Sequence, residues 1–212
     1  MKKYFLIMKK SFLIILFVAM VPALTACSGD QDTPKLLQKE GLAPYELTAR
    51  ESYLLQSFGI DNNAQIIAFN APKEAISMEF NVYRLKDGAW ESIGGGAVSI
   101  GKERVPSEKL TGNITMLLKD NYALDLHVNC DGRSSFKTNP IDLNSEFMAS
   151  AKVFLTEFQK IEINKEIPVA LMVYDSGSTM RSYSLQDYFE PSKFQGMDLV
   201  QAVTISFSDE EL

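Results

Sequence analysis

Cysteine, histidine and tryptophan are scarce in this chain, and basic side chains do not cluster after its first ten residues. Its 212 residues include two cysteines, one histidine and one tryptophan. Two cysteines cannot build the multi-disulfide framework that staples small exported domains. A single histidine, His127, cannot complete a zinc site with Asp125 as its neighbour, because such sites take three or four protein ligands. The densest basic group after the N-terminus is Lys102-Glu103-Arg104. Phosphate binding needs Lys and Arg in a patch, so nucleic acid is not an expected partner. Electrostatic docking on anionic lipid is disfavoured for the same reason. No apolar run after Cys27 approaches the about 20 residues that span a bilayer. The chain also lacks internal repeats.

What the N-terminus does have is a segregated pattern. Met1 to Lys10 holds four lysines and no acid, and Ser11 to Leu24 follows with fourteen uncharged, mostly apolar residues. A basic stretch followed by an apolar stretch of that length predicts a secretory signal peptide over residues 1–26. Met8-Lys9-Lys10-Ser11 would itself open such a signal, so translation from Met1 or from Met8 both fit.

Leu24-Thr25-Ala26-Cys27 resembles the lipobox of bacterial lipoprotein precursors. The resemblance covers residues 1–27 and implies a diacylglyceryl group on the Cys27 thiol. It also implies cleavage between Ala26 and Cys27. Two acyl chains suffice for stable anchoring where one does not, so the expected location is the outer face of the cytoplasmic membrane. Cleavage would remove four lysines and no acids, leaving 17 basic against 27 acidic side chains, a formal charge of about −10. With Cys27 lipidated, Cys130 has no partner for a disulfide, and a half-apolar strand position suits it as a packed thiol.

Ser28 to Pro34 is small, polar and acidic, which predicts a flexible tether over residues 27–44. Residues 45–212 are expected to form a single domain. Thr48-Ala49-Arg50-Glu51 fits a capping box, and Leu47, Leu54, Leu55 and Phe58 share one face, with Gly59 as a stop. The rest predicts strands: Gln65–Phe69, Ala75–Leu85, Ala97–Gly101, Thr111–Leu118, Tyr122–Cys130, Ser134–Thr138, Ile167–Tyr174 and Leu199–Phe207. Asp87-Gly88, Asp120-Asn121 and Asp131-Gly132 supply turns. Between 145 and 160 two patterns compete. Phe147, Ala151, Phe154, Phe158 and Ile161 favour a second helix, whereas Ala149, Ala151, Val153 and Leu155 fit a strand. The expected architecture is mainly β, an antiparallel sandwich or barrel.

Three segments of the body extend the resemblance. Tyr53-Leu54-Leu55-Gln56-Ser57-Phe58-Gly59, Glu166-Ile167-Pro168-Val169-Ala170-Leu171 and Gly196-Met197-Asp198-Leu199-Val200 resemble uncharacterised lipoproteins of Clostridium-like bacteria. That family implies no activity and no site residues.

Motifs for chemistry are weak. Ala97-Val98-Ser99-Ile100-Gly101 matches a nucleophile-elbow variant, but the elbow needs a helix after the serine, and Pro106 would interrupt one. Gly94-Gly95-Gly96 lacks the Lys-Ser/Thr of a phosphate loop, so a bulge or flexible loop is the plainer account. Asn129-Cys130-Asp131-Gly132 lacks the acidic spacing of a calcium loop. Asp120, Asp125 and Asp142 are candidates for a carboxylate pair. Tyr174 to Tyr183, a polar turn carrying Arg181, has the residue types favoured at binding surfaces. The expectation is a non-enzymatic domain with no cofactor and no bound metal, anchored to the membrane, that binds a protein, peptide or glycan. An exported carboxylate hydrolase and an accessory subunit of a transporter or envelope assembly are the alternatives.

Overall fold

Period-two alternation resolves into ten strands among the described residues, which are 36–100, 109–130, 132–143, 147–178 and 180–212 of a computed structural model. The strands are β1 (Gly41–Pro44), β2 (Ala64–Asn70), β3 (Ser77–Lys86), β4 (Ala89–Ser99), β5 (Thr111–Leu118), β6 (Leu124–Asn129), β7 (Arg133–Lys137), β8 (Ala149–Phe154), β9 (Ile167–Asp175) and β10 (Leu199–Ser208). One helix, α1, spans Ala49–Ser57, and two short 3-10 turns span Leu185–Phe189 and Pro191–Phe194. The expected signal peptide, Cys27 and the Ser28–Pro34 part of the expected tether lie outside the described residues.

The strands form two antiparallel sheets of five, ordered β1-β2-β5-β6-β7 and β4-β3-β10-β9-β8, packed as a sandwich. On β3, Met78, Phe80 and Val82 line the inner face, fully buried, and Ile76 is nearly buried just before the strand. On β6, Leu124, Leu126 and Val128 do the same, with Tyr122 and Cys130 half-buried against the core. Phe69 meets Phe207 at 6.0 Å between ring centres and Phe80 meets Phe136 at 4.6 Å, which ties the two sheets together. Burying each such ring is worth roughly 1.5–3 kcal/mol.

β9 and β10 do not alternate. β9 is apolar from Ile167 to Val173, β10 adds Gln201 and Thr204 among its apolar residues, and nearly every residue of both is buried. Continuous apolar runs mark strands covered on both faces. Here a long connection between β9 and β10 folds back over the outer face of their own sheet and buries Leu171, Val173, Val200 and Ala202 under Tyr188 and Phe194. Pro168 cannot donate to the ladder, and it sits where the β9–β10 register shifts at Val203/Thr204.

The triple glycine belongs to β4. Its register with β3 shifts between Val82 and Tyr83, so the expected bulge is present beside Gly94. A Cβ on Gly96 would overlap the Phe136 ring, so glycine here lets β4 close against β7 at the corner of the sandwich.

Two expectations need correction. The tether was expected to run to about Pro44, yet Gly41–Pro44 is already β1, antiparallel to Ile67–Asn70, with Leu42 fully buried. The segment near 145–160 is a strand in its ordered middle, β8, rather than a helix. Pairing with β9 satisfies its backbone, and Ala151 and Val153 join the layer on the outer face of the sheet. α1 forms as expected with its capping box, and none of its residues is buried.

Candidate functional site

Chemistry-bearing side chains converge on the outer face of the β4-β3-β10-β9-β8 sheet. Tyr83 on β3 and Thr204 on β10 point outward there because their neighbours Val82 and Val203 point inward. Glu166, just before β9, reaches across them. Its Oε1 accepts from the Tyr83 hydroxyl at 2.7 Å and from Thr204 Oγ1 at 3.2 Å. Its Oε2 accepts from the Tyr188 hydroxyl at 2.9 Å. Tyr188 belongs to the first 3-10 turn, so one carboxylate pins the β9–β10 connection to the sheet.

Burial, with the Glu166 carboxylate beside it, pushes the Tyr83 hydroxyl up to about 12. Burial and the same carboxylate raise Tyr188 further. Both therefore remain protonated donors at any physiological pH. Trp90 stacks on Tyr188, with ring centres 5.1 Å apart, and donates its indole N–H to the Tyr188 carbonyl at 2.9 Å. Phe194 meets Trp90 edge-on at 6.1 Å and Tyr183 at 5.3 Å.

The connection is braced within itself. Asp187 accepts from the Ser184 N–H at 2.7 Å and pairs with Lys193 at 2.6 Å. The Lys193 ammonium holds the Asp187 carboxyl below the usual carboxylate range, and the Ser184 bonds add to this. At the far end, Ser176 N–H donates to Asp198 Oδ2 at 2.6 Å.

A cavity of about 480 Å³ opens where this connection meets the β3–β4 turn. Leu85, Phe194, Met197 and Val200 give it an apolar floor, and Asp87, Ser192 and Gln195 stand on its rim. Asp87 and Gly88 both hold positive φ, 51° and 81°, as the two-residue turn requires. Such a concave site, apolar below and polar at the mouth, suits a small group projecting from a ligand.

The residues singled out from sequence lie elsewhere or hold structural partners. Ser99 ends β4 and donates to the Ile76 carbonyl at 3.1 Å; Gly101, which would complete the elbow, lies outside the described residues. His127 projects from the outer face of the other sheet and shares a hydrogen bond with Ser135 at 2.8 Å. Asp125 faces the same way yet is nearly buried, between Lys119 at 2.8 Å and Lys137 at 3.9 Å. Asp120 and Asp142 are exposed. Cys130 ends its strand in a tight turn, its N–H bonded to the Gly132 carbonyl, and Asp131 lies outside the described residues. Among the described residues, no three His, Cys, Asp or Glu side chains gather where they could hold a metal ion.

Tyr174 to Tyr183 divides. Tyr174 is buried in the sandwich against Tyr122 and Phe147, and Tyr183 packs on Phe194. Sequence reasoning missed Glu166, Tyr83, Trp90 and Tyr188. The available signal was the doubly buried character of β9 and β10, which demands a covering layer. No protein family, curated protein or solved structure matches the chain.

Proposed function

We propose that this chain is an extracytoplasmic lipoprotein, anchored by lipid on Cys27, whose domain binds a protein, peptide or glycan without chemically altering it. The binding site in this reading is the cavity beside Leu85, Phe194 and Met197. The observation that carries it is the cavity's construction: an apolar floor backed by the Trp90–Tyr188–Phe194 stack and fixed in place by Glu166. An apolar floor held rigid from behind, with a few polar groups at the mouth, favours capture at low entropic cost. The Glu166 carboxylate is wholly engaged by hydroxyl donors, which suits a positioning role better than attack on a substrate. The lipobox pattern supports the location, and the acidic body is consistent with retention by lipid alone.

Trp90 is the sole tryptophan in the sequence, so its emission reports on the site. Peptide and glycan arrays probed with the purified chain should yield ligands that shift Trp90 emission. Ser192→Phe, on the exposed rim, should abolish both array binding and the shift while leaving the unfolding midpoint unchanged. Ligands that bind equally well to Ser192→Phe would place recognition elsewhere. Products of hydrolysis in mass spectra of the bound ligands would instead favour the exported hydrolase.

A further inference from the structure

α1 is a helix that leaves most of its apolar side chains exposed, with only Leu55 half-buried toward β2. Its capping box is complete: Glu51 N–H donates to Thr48 Oγ1 at 3.2 Å, and Thr48 N–H donates to Glu51 Oε2 at 2.7 Å. Capping makes a helix this short viable, since nine residues alone are marginal in water. Yet Tyr53 is 69% exposed, Leu54 54% and Phe58 76%, and Leu47 just before the cap is 38% exposed. These are four of the eight large hydrophobic side chains exposed among the described residues. Leu54 and Phe58, four apart, share one face of the helix, and Leu47, just before the cap, continues this exposed apolar stripe at its N-terminal end. The only acid of α1 is Glu51, and its carboxylate is turned back onto the Thr48 N–H and the Tyr45 hydroxyl. The helix itself therefore presents no free carboxylate beside Leu54 and Phe58, and the nearest other acids, Glu46 and Asp61, stand beyond its two ends.

Size decides between occupants. Four partly exposed side chains offer on the order of 500 Å², short of the ~800 Å² per partner of a standard stable interface. A second copy of the chain would not be held by that alone. A surface so small suffices when something else already keeps the two parts together. Chain length supplies this, on the reading that Cys27 carries lipid. Cys27 precedes Leu36 by nine residues, and an extended chain covers at most ~3.6 Å per residue, so the body stays within about 30 Å of its anchor. Tyr and Phe beside Leu are the residue types that settle at the boundary between headgroups and acyl chains.

We propose that the Leu47–Leu54–Phe58 stripe, with Tyr53, is a membrane-docking surface that lays the domain on the bilayer holding Cys27. The proposal rests on the lipid-anchor reading. With a body of about −10, the approach that costs least is to a zwitterionic surface through this stripe.

The test uses the full lipidated chain in phosphatidylcholine vesicles whose acyl chains carry bromine quenchers. Wild type has only Trp90, on the outer face of the other sheet, and serves as the blank. Phe58→Trp adds an indole at an exposed position where folding is not at risk. Flotation comes first. A chain that fails to float with the vesicles overturns the anchor, and docking with it. For a chain that floats, docking requires bromolipid to reduce Phe58→Trp emission by at least ~1.5-fold while leaving wild-type emission unchanged. Floating chains with no extra quenching in Phe58→Trp would leave the anchor standing and overturn docking. Equal quenching of wild type would also overturn it, because the surface facing the bilayer would then be another one.

Discussion

Glu166 accepts three hydroxyl hydrogen bonds, and its removal would leave the buried Tyr188 hydroxyl without its acceptor. An unsatisfied buried polar group costs about 1–3 kcal/mol. Glu166→Ala should therefore lower the urea unfolding free energy by about that much and shift Trp90 emission in the native baseline. A change within ~0.5 kcal/mol would show that the pin contributes nothing. The tyrosines give the pin its pH range. Tyr83 titrates near 12 when folded, above its ordinary value near 10. Its stabilisation is complete below about pH 10 and fades as pH rises toward 12. Asp187 runs the other way. Lys193 depresses its folded value, so its contribution is present above about pH 4 and is lost as pH falls through the lower folded value. Asp187→Asn should accordingly show a flatter loss of stability between about pH 4 and pH 2 than wild type does. An identical acid limb in the two proteins would remove Asp187 from the account. None of these residues was legible as a site in the sequence. Glu166, Tyr83 and Tyr188 are scattered over a hundred positions, and only the crossing of β3, β9 and the 3-10 turn joins them.

At the scale of elements, legibility followed the regularity of the signal. β3, β5 and β6 alternate cleanly, and their faces came out as the pattern required. β9 and β10 were recognisable from branched and aromatic residues, but the layer that covers their outer face was not anticipated, because 3-10 turns have no hydrophobic period long enough to read. β1 was taken for tether because Gly-Leu-Ala-Pro contains two turn formers; one buried leucine and an edge position suffice to make it a strand. β8 carries both periods, and tertiary pairing with β9 decided for the strand. α1 is legible as a helix from its capping box, while its lack of burial is not. A local capping motif dictates that a helix starts, whereas burial depends on what the rest of the fold brings to it. Because α1 buries no residue, its loss should hardly touch the core. Thr48→Ala removes the cap, which typically costs about 1 kcal/mol to the helix. Hydrogen exchange should accelerate over residues 49–57, while the strands keep wild-type protection. Uniform acceleration through β2 and β5 would mean instead that α1 opens with the sandwich as one cooperative unit.

For the whole molecule, charge and anchorage belong to one argument. On the lipid-anchor reading, residues 27–212 carry a formal charge of about −10 and no Lys/Arg cluster longer than Lys102-Glu103-Arg104. Repulsion from anionic lipid then opposes any membrane attachment by charge. The stripe on α1 offers four side chains, far less apolar surface than two acyl chains, each methylene of which contributes about 0.8 kcal/mol when buried. Docking through α1 should thus orient an anchored chain but not hold a free one. Cys27→Ala separates these two roles. Without the thiol, the precursor either keeps its signal uncut and migrates more slowly, or is cut elsewhere and leaves the membrane. Membrane fractions washed with and without detergent, followed by gel mobility, distinguish both outcomes from wild type. A Cys27→Ala chain that partitions and migrates as wild type does would sink the lipid anchor. It would also transfer membrane retention to some surface of the folded body, where the exposed stripe of α1 would be the first to test by Phe58→Gln.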